Sequence, residues 1–196
     1  FSSAERAYVA LISDTGSIQS SFMESSVASS NSTRITSIVV DGSNIYFGGT
    51  ADFGGSRGKD WLYGSLALSG TTLSPGWIQT TDLSTTDDQV IGIESVDATR
   101  LVLVGNRFDV AVAQKLDGTF PRNPDNTPGT PVLSGYINAS AKCIKKDSAN
   151  KILVGGNSSN QMALMKFDPT NIALPGSPTT FTGNGSVSAI TFDTLG

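Results

Sequence analysis

The sequence contains no histidine, and this absence removes more chemistry than any other feature. Without imidazole there is no Ser-His-Asp or Cys-His relay, no His-ligated zinc, and no base that titrates near neutrality unaided. Cys143 is the only cysteine, so no disulfide closes within the chain and no set of thiolates can hold a metal. Charge is also scarce, at 15% of residues, and 13 basic against 17 acidic side chains leave a net charge of −4. That sign argues against nucleic acid as a partner, because phosphate binding needs a basic face. Lys142, Lys145 and Lys146 come closest to one, and three lysines in one short strand-like segment read as a solvated edge. No run approaches the roughly 18 apolar residues of a membrane-spanning helix, and no signal-peptide pattern is present. The chain starts at Phe1 without a Met, so the expectation is a processed form or a piece of something longer.

Glycine is plentiful, with 21 residues, and 8 prolines accompany it. Together with abundant Ser, Thr and Asn this composition suits an all-β protein with many turns. The clearest local pattern is a short apolar run closing on glycine: Ile45 to Gly49, Leu101 to Gly105, and Ile152 to Gly156. Before each run lies a strand-like segment that ends in Asp: Ile35 to Asp41, Val90 to Asp97, Ala141 to Asp147, with a fourth copy at Val187 to Asp193. The Asp and the small residues after it are hairpin-turn chemistry. A third segment follows each glycine run, Trp61 to Leu68, Val110 to Leu116 and Met162 to Phe167, and an orphan copy stands at Tyr8 to Ile12. A weaker fourth segment comes next: Ser17 to Phe22, Trp77 to Asp82, Thr130 to Gly135, Ser177 to Thr182. Four strands per unit in a meander is the composition of a propeller blade. The glycines are expected where blades converge and backbones crowd.

The fold expected is therefore a β-propeller-type array of four-stranded antiparallel blades, about three and a half units long. The unit boundaries fall at 1–34 (partial), 35–89, 90–140, 141–186 and 187–196 (partial). The third unit, with Lys151-Ile152-Leu153-Val154-Gly155-Gly156, a polar loop and Ala163-Leu164-Met165-Lys166-Phe167-Asp168, resembles the delta-60 repeat family of bacterial propeller-like proteins. The second unit follows the same pattern less closely, with Val112-Ala113-Gln114-Lys115-Leu116-Asp117-Gly118. The resemblance implies an exported or surface-attached bacterial protein and carries no shared catalytic residue. Since the chain opens on a third strand and closes on a first, further blades, a protein partner or a second copy are expected to complete it.

Carboxylates are what remain for catalysis or cation binding. Asp82, Asp87 and Asp88 precede a strand, where turn aspartates are common, and the recurring Asp41, Asp97, Asp147 and Asp193 read as turn caps. Calcium-loop density is absent, so neither a metal, a cofactor nor a catalytic set is assigned. Glu94 stands where the other copies have Ile38, Ile144 and Ile190, which makes it a candidate contact. The most distinctive departure from the repeat is the insertion Ala51 to Lys59. With its flanks, Thr50 to Trp61, it brings Asp52, Phe53, Arg57, Asp60 and Trp61 together on a glycine frame suited to a protein or sugar contact. Phe120 to Thr130 is a second long loop with a weaker case. The function expected is a non-enzymatic extracellular or cell-surface scaffold, the alternative being a carbohydrate-binding module that stacks sugars on Phe53, Trp61 and Trp77.

Overall fold

The computed structural model describes residues 5–27, 31–83, 87–120, 139–169 and 178–192. Among them the chain is all-β, without a helix, and every paired strand is antiparallel to its neighbour. It divides into two compact units, residues 1–90 and 91–196.

The first unit holds a two-stranded sheet, β1 (Tyr8–Ile12) and β2 (Ile18–Met23), and a four-stranded sheet. The latter runs in meander order through β3 (Ser32–Asp41), β4 (Asn44–Gly54), β5 (Gly58–Ser69) and β6 (Thr72–Thr81). Its register pairs Ile45 with Leu66, Phe47 with Gly64, Gly49 with Leu62 and Ala51 with Asp60. Because strand neighbours alternate in facing, these residues line one side of the sheet. Val9, Leu11 and Phe22 of the small sheet join them in a single core. The opposite side carries Tyr46, Tyr63 and Trp77, the indole edge-on to Tyr63 at a 6.1 Å ring separation.

The second unit contains β7 (Val90–Ser95), which starts at the last residue of the first unit, then β8 (Arg100–Gly105) and β9 (Val110–Gln114). A second meander follows: β10 (Ala139–Lys146), β11 (Ile152–Ser158), β12 (Gln161–Phe167) and β13 (Thr179–Asn184). Val102, Val104, Val110 and Val112 pack face to face with Ile152, Val154, Ala163 and Met165. Leu101, Leu103, Ala111 and Ala113, on the other side of β8 and β9, are buried as well. Such two-sided burial explains why these strands read as continuous apolar runs, each large side chain contributing about 1.5–3 kcal/mol.

The two meanders share one local design. In each, the first strand bulges by one residue against the glycines of the second, at Ile35/Ser37 in one and Ala141/Cys143 in the other. The hydroxyl of the bulged Thr36 lies between two carbonyl acceptors, that of Gly48 at 3.1 Å and that of Val90, which is closer. A Cβ added at Gly49 would overlap the carbonyl oxygen of Arg34, and one at Gly156 that of Ser140. The second glycine of each run is thus required within its own sheet, by the bulged backbone beside it. Convergence between blades, the reason expected from sequence, is not what these positions need.

Turn aspartates cap as expected. Asp97 Oδ1 accepts from the backbone N–H of Thr99 and Arg100, at 2.8 and 2.9 Å, and Asp147 Oδ1 from Ala149 and Lys151, at 3.0 and 2.7 Å. The third-strand lysines reach the same turns: Lys166 Nζ sits 2.9 Å from Asp147 Oδ2, and Lys115 Nζ donates to Ser95 Oγ and the Asp97 carbonyl.

Three expectations need correction or fall elsewhere. Val187 to Phe192 is not a strand, although Val187 N donates to the Gly156 carbonyl at 2.9 Å and its side chain lies against Gly155. The strand at Val110 ends at Gln114, and Leu116 points into solvent, because the chain turns there: Gly118 N donates to the Gln114 carbonyl at 2.9 Å and Asp117 caps the turn. Thr130 to Gly135, most of the Phe120 to Thr130 loop, residues 170–177 and Asp193 lie outside the described residues.

Candidate functional site

The insertion from Ala51 to Lys59 is mostly not a loop. β4 and β5 continue their ladder through it, Asp52 opposite Lys59 and Gly54 opposite Gly58, leaving Gly55, Ser56 and Arg57 as the tip. Gly54, Gly55 and Gly58 all take positive φ, which lets the hairpin close without a steric penalty. Asp52 caps the turn by accepting from Gly54 N at 2.8 Å.

Asp60 lies on the core side of the sheet, one step beyond Leu62, and is completely buried. Its Oδ2 accepts from both Nε and Nη2 of Arg57, at 3.0 and 2.5 Å. The Arg57 guanidinium stacks over the Phe53 ring at 3.7 Å, and nearly half of its side chain is open to solvent. Its charge is held more firmly than usual, chiefly by the hydrogen bond to Asp60. An arginine fixed by a buried carboxylate on one edge and an aromatic face below has little rotamer freedom left to lose on binding.

A groove of about 320 Å³ opens beside this cluster, lined by Ser26, Val27, Phe53, Arg57, Ile78, Gln79 and Thr80. Ile78 and Thr80 come from β6, on the same side of the sheet as Leu62 and Gly64. Ser26 and Val27 follow β2, and Glu24 holds them there. Its Oε1 accepts from Ser26 N, Ser26 Oγ and Val27 N at 2.6, 2.9 and 2.9 Å, while the residue is wholly buried. Two buried carboxylates therefore shape the groove from behind, and each keeps one oxygen without a hydrogen-bond partner, Glu24 Oε2 and Asp60 Oδ1. Such oxygens are costly to bury.

No family model matches the chain, and no curated protein matches it.

The six expected contact residues separate into three groups. Phe53, Arg57 and Asp60 converge as one cluster. Asp52 is its turn cap, and Trp61 faces the other side of the sheet, completely buried, with its Nε1 unpartnered. Trp61 therefore has no surface on which a sugar could stack, and Trp77 is packed against Tyr46 and Tyr63. Glu94 lies apart, on β7, with Lys145 3.9 Å away; burial pushes its carboxyl above the ordinary range against the pull of Lys145 and Lys146. Asp87 pairs with Lys59 at 2.8 Å and Asp88 is buried beside Leu83, both structural placements. Among the described residues no three acidic or sulfur side chains come together as a metal would require. The groove wall from Ser26, Val27, Gln79 and Thr80, and Glu24 behind it, carries no signal in the sequence, because these are ordinary polar or apolar residues brought together only by pairing.

Proposed function

We propose that the chain is a non-enzymatic interaction scaffold, a propeller-type array of four-stranded blades that contacts its partner through the groove beside Arg57. The observation that carries this reading is the preorganised Arg57 fork, seated on Phe53 and Asp60 at the mouth of the groove. The groove lining has one cation and no carboxylate, lysine or cysteine, a composition for recognition rather than proton transfer. The bulge and glycine design repeated in two sheets supports the array. The resemblance to delta-60 repeats suggests an extracellular or cell-surface location in a bacterium. A carbohydrate is the second reading, favoured by the hydroxyl groups of Ser26 and Thr80, and it would bind by hydrogen bonding rather than by stacking.

Titration with acidic and neutral oligosaccharides and with acidic peptides, followed by amide shifts, tests the site. Perturbation should centre on Arg57, Gln79 and Thr80 and vanish in Arg57→Lys, which keeps a cation for Asp60 and loses the planar fork. Shifts elsewhere, or shifts unchanged in Arg57→Lys, would remove the groove from the account.

A further inference from the structure

Arg57 is the only charged side chain in the groove wall, yet its charge is already matched from behind. Asp60 Oδ2 accepts from its Nε and Nη2, and the Asp60 side chain is wholly buried. Solvent and salt screen a carboxylate in that position very little, so the two opposite charges cancel at short range. A second carboxylate, that of Asp82, also acts on the Arg57 charge. Lys59, the other cation of this hairpin, sits 2.8 Å from Asp87 and is matched in the same way. The mouth of the groove is therefore neutral to negative, although the one ionised residue lining it is a cation.

What Arg57 retains is direction. A guanidinium carries five N–H groups, and Asp60 takes the two along one edge. The end edge, with one N–H from each Nη, has no acceptor among the described residues. Those two N–H groups are parallel, and Asp60 and the Phe53 ring hold them in place. A carbonyl oxygen, with two lone pairs, can accept both. A free carboxylate could do so as well, but it would meet no net positive charge. The rest of the wall is apolar at Val27, Phe53 and Ile78, with hydroxyls at Ser26 and Thr80. Phe53 is its one aromatic ring, and the guanidinium already covers a face of it at 3.7 Å. The volume of about 320 Å³ stands at the small end of ligand sites, which start at roughly 300 Å³. That is room for one apolar side chain and its peptide group.

We infer that the groove takes an uncharged peptide segment of a partner protein, whose backbone carbonyl accepts from the end edge of Arg57 while the adjacent apolar side chain lies against Val27 and Ile78. Arg57 then orients the partner and does not attract it by charge. This rests on the groove being the contact site, and adds the charge and chemistry of what enters it. The two can fail separately, because a groove that preferred an acidic partner would still be the site.

Amide-shift titrations of the whole chain with N-acetyl-leucinamide and N-acetyl-leucine test it, since the two probes differ in an amide against a carboxylate. The amide is expected to move the Arg57 Nε–H and Thr80 N–H signals and to bind several-fold more tightly, with the same affinity at low and high salt. Asp60→Asn keeps an acceptor for Arg57 and removes the opposing charge. It is expected to reverse the preference and to bind the carboxylate in a salt-sensitive way. Tighter binding of the carboxylate by the parent, or amide binding that falls steeply with salt, overturns the inference and leaves the groove as the site. So does a folded Asp60→Asn that keeps the parent's preference. If that variant does not fold, the parent's own preference and salt dependence decide. N-acetylglucosamine binding more tightly than the leucine amide overturns the peptide and makes the partner a glycan. No shift at the groove with any of these probes, or with acidic peptides, overturns both readings.

Discussion

The hairpins β4–β5 and β11–β12 begin as the same object and end differently. From the glycine outward they run in step: Gly49 opposite Leu62 matches Gly156 opposite Ala163, Thr50 opposite Trp61 matches Asn157 opposite Met162, and Ala51 opposite Asp60 matches Ser158 opposite Gln161. There the second hairpin turns, through Ser159 and Asn160 with φ 48° and 66°. The first continues for eight more residues, Asp52 to Lys59, and those residues supply Phe53 and Arg57 to the groove. Structure is repeated, and the candidate site grows where the repeat is broken.

Mutations at matched positions separate frame from extension. The largest effect is expected at the Trp61–Met162 pair of positions. Trp61→Ala removes a completely buried indole and should cost about 3–5 kcal/mol, whereas Met162→Ala, at a half-open site, should cost well under half of that. Denaturant midpoints with unchanged slopes would measure both, and equal losses would break the contrast. Next come Gly49→Ala and Gly156→Ala. Each new methyl meets a backbone carbonyl that cannot step aside, so both should cost about 3 kcal/mol, and similar losses would sharpen the identity of the two frames. Gly55→Ala, at the extended tip, meets nothing and pays only for its positive φ of 58°, about 1 kcal/mol.

The smallest effect concerns pH. Glu94, half-buried on β7, has its carboxyl raised above 4.5, so the folded state holds this proton more tightly than the unfolded chain. Its contribution is therefore fully present below the unfolded value and is lost as pH rises through the folded one. Glu94→Gln should match the parent near pH 4 and gain melting temperature relative to it at pH 7. Asp97 and Asp147 work in the opposite sense. Hydrogen bonds from Arg100 and from Lys166 respectively hold their carboxyls below 3.8, and their stabilisation disappears as pH falls below that value. A parent equally stable from pH 2 to pH 7 would contradict these placements.

Much of the frame was legible because turn chemistry is local. Asp before small residues and glycine after apolar runs announce hairpins, as at Asp41 between β3 and β4, Asp97 between β7 and β8, and Asp147 between β10 and β11. The bulge was not legible, since Thr36 and Lys142 share no residue type; only pairing reveals that both are skipped. The matching of Lys115 to Lys166 by motif also misled. The ladder places Val112, not Lys115, at the level of Lys166, because the hairpin after Gly105 is shorter. At the site, the sequence marked Ala51 to Lys59 as a departure from the repeat, and with it Phe53, Arg57 and Asp60. It left the facing direction of Trp61 open and gave no hint of Glu24, whose three accepted hydrogen bonds depend on a turn after β2.

Grafting tests the central claim most directly. Replacing residues 51–60 with Ser-Ser-Asn-Gln, the sequence of Ser158 to Gln161, converts the extended hairpin into the plain one. If the frame is shared and the site belongs to the extension, the grafted chain unfolds in one cooperative transition near the parent's melting temperature and loses ligand-induced shifts at Gln79 and Thr80. A graft that fails to fold, or one that folds and still binds as the parent does, would contradict the account.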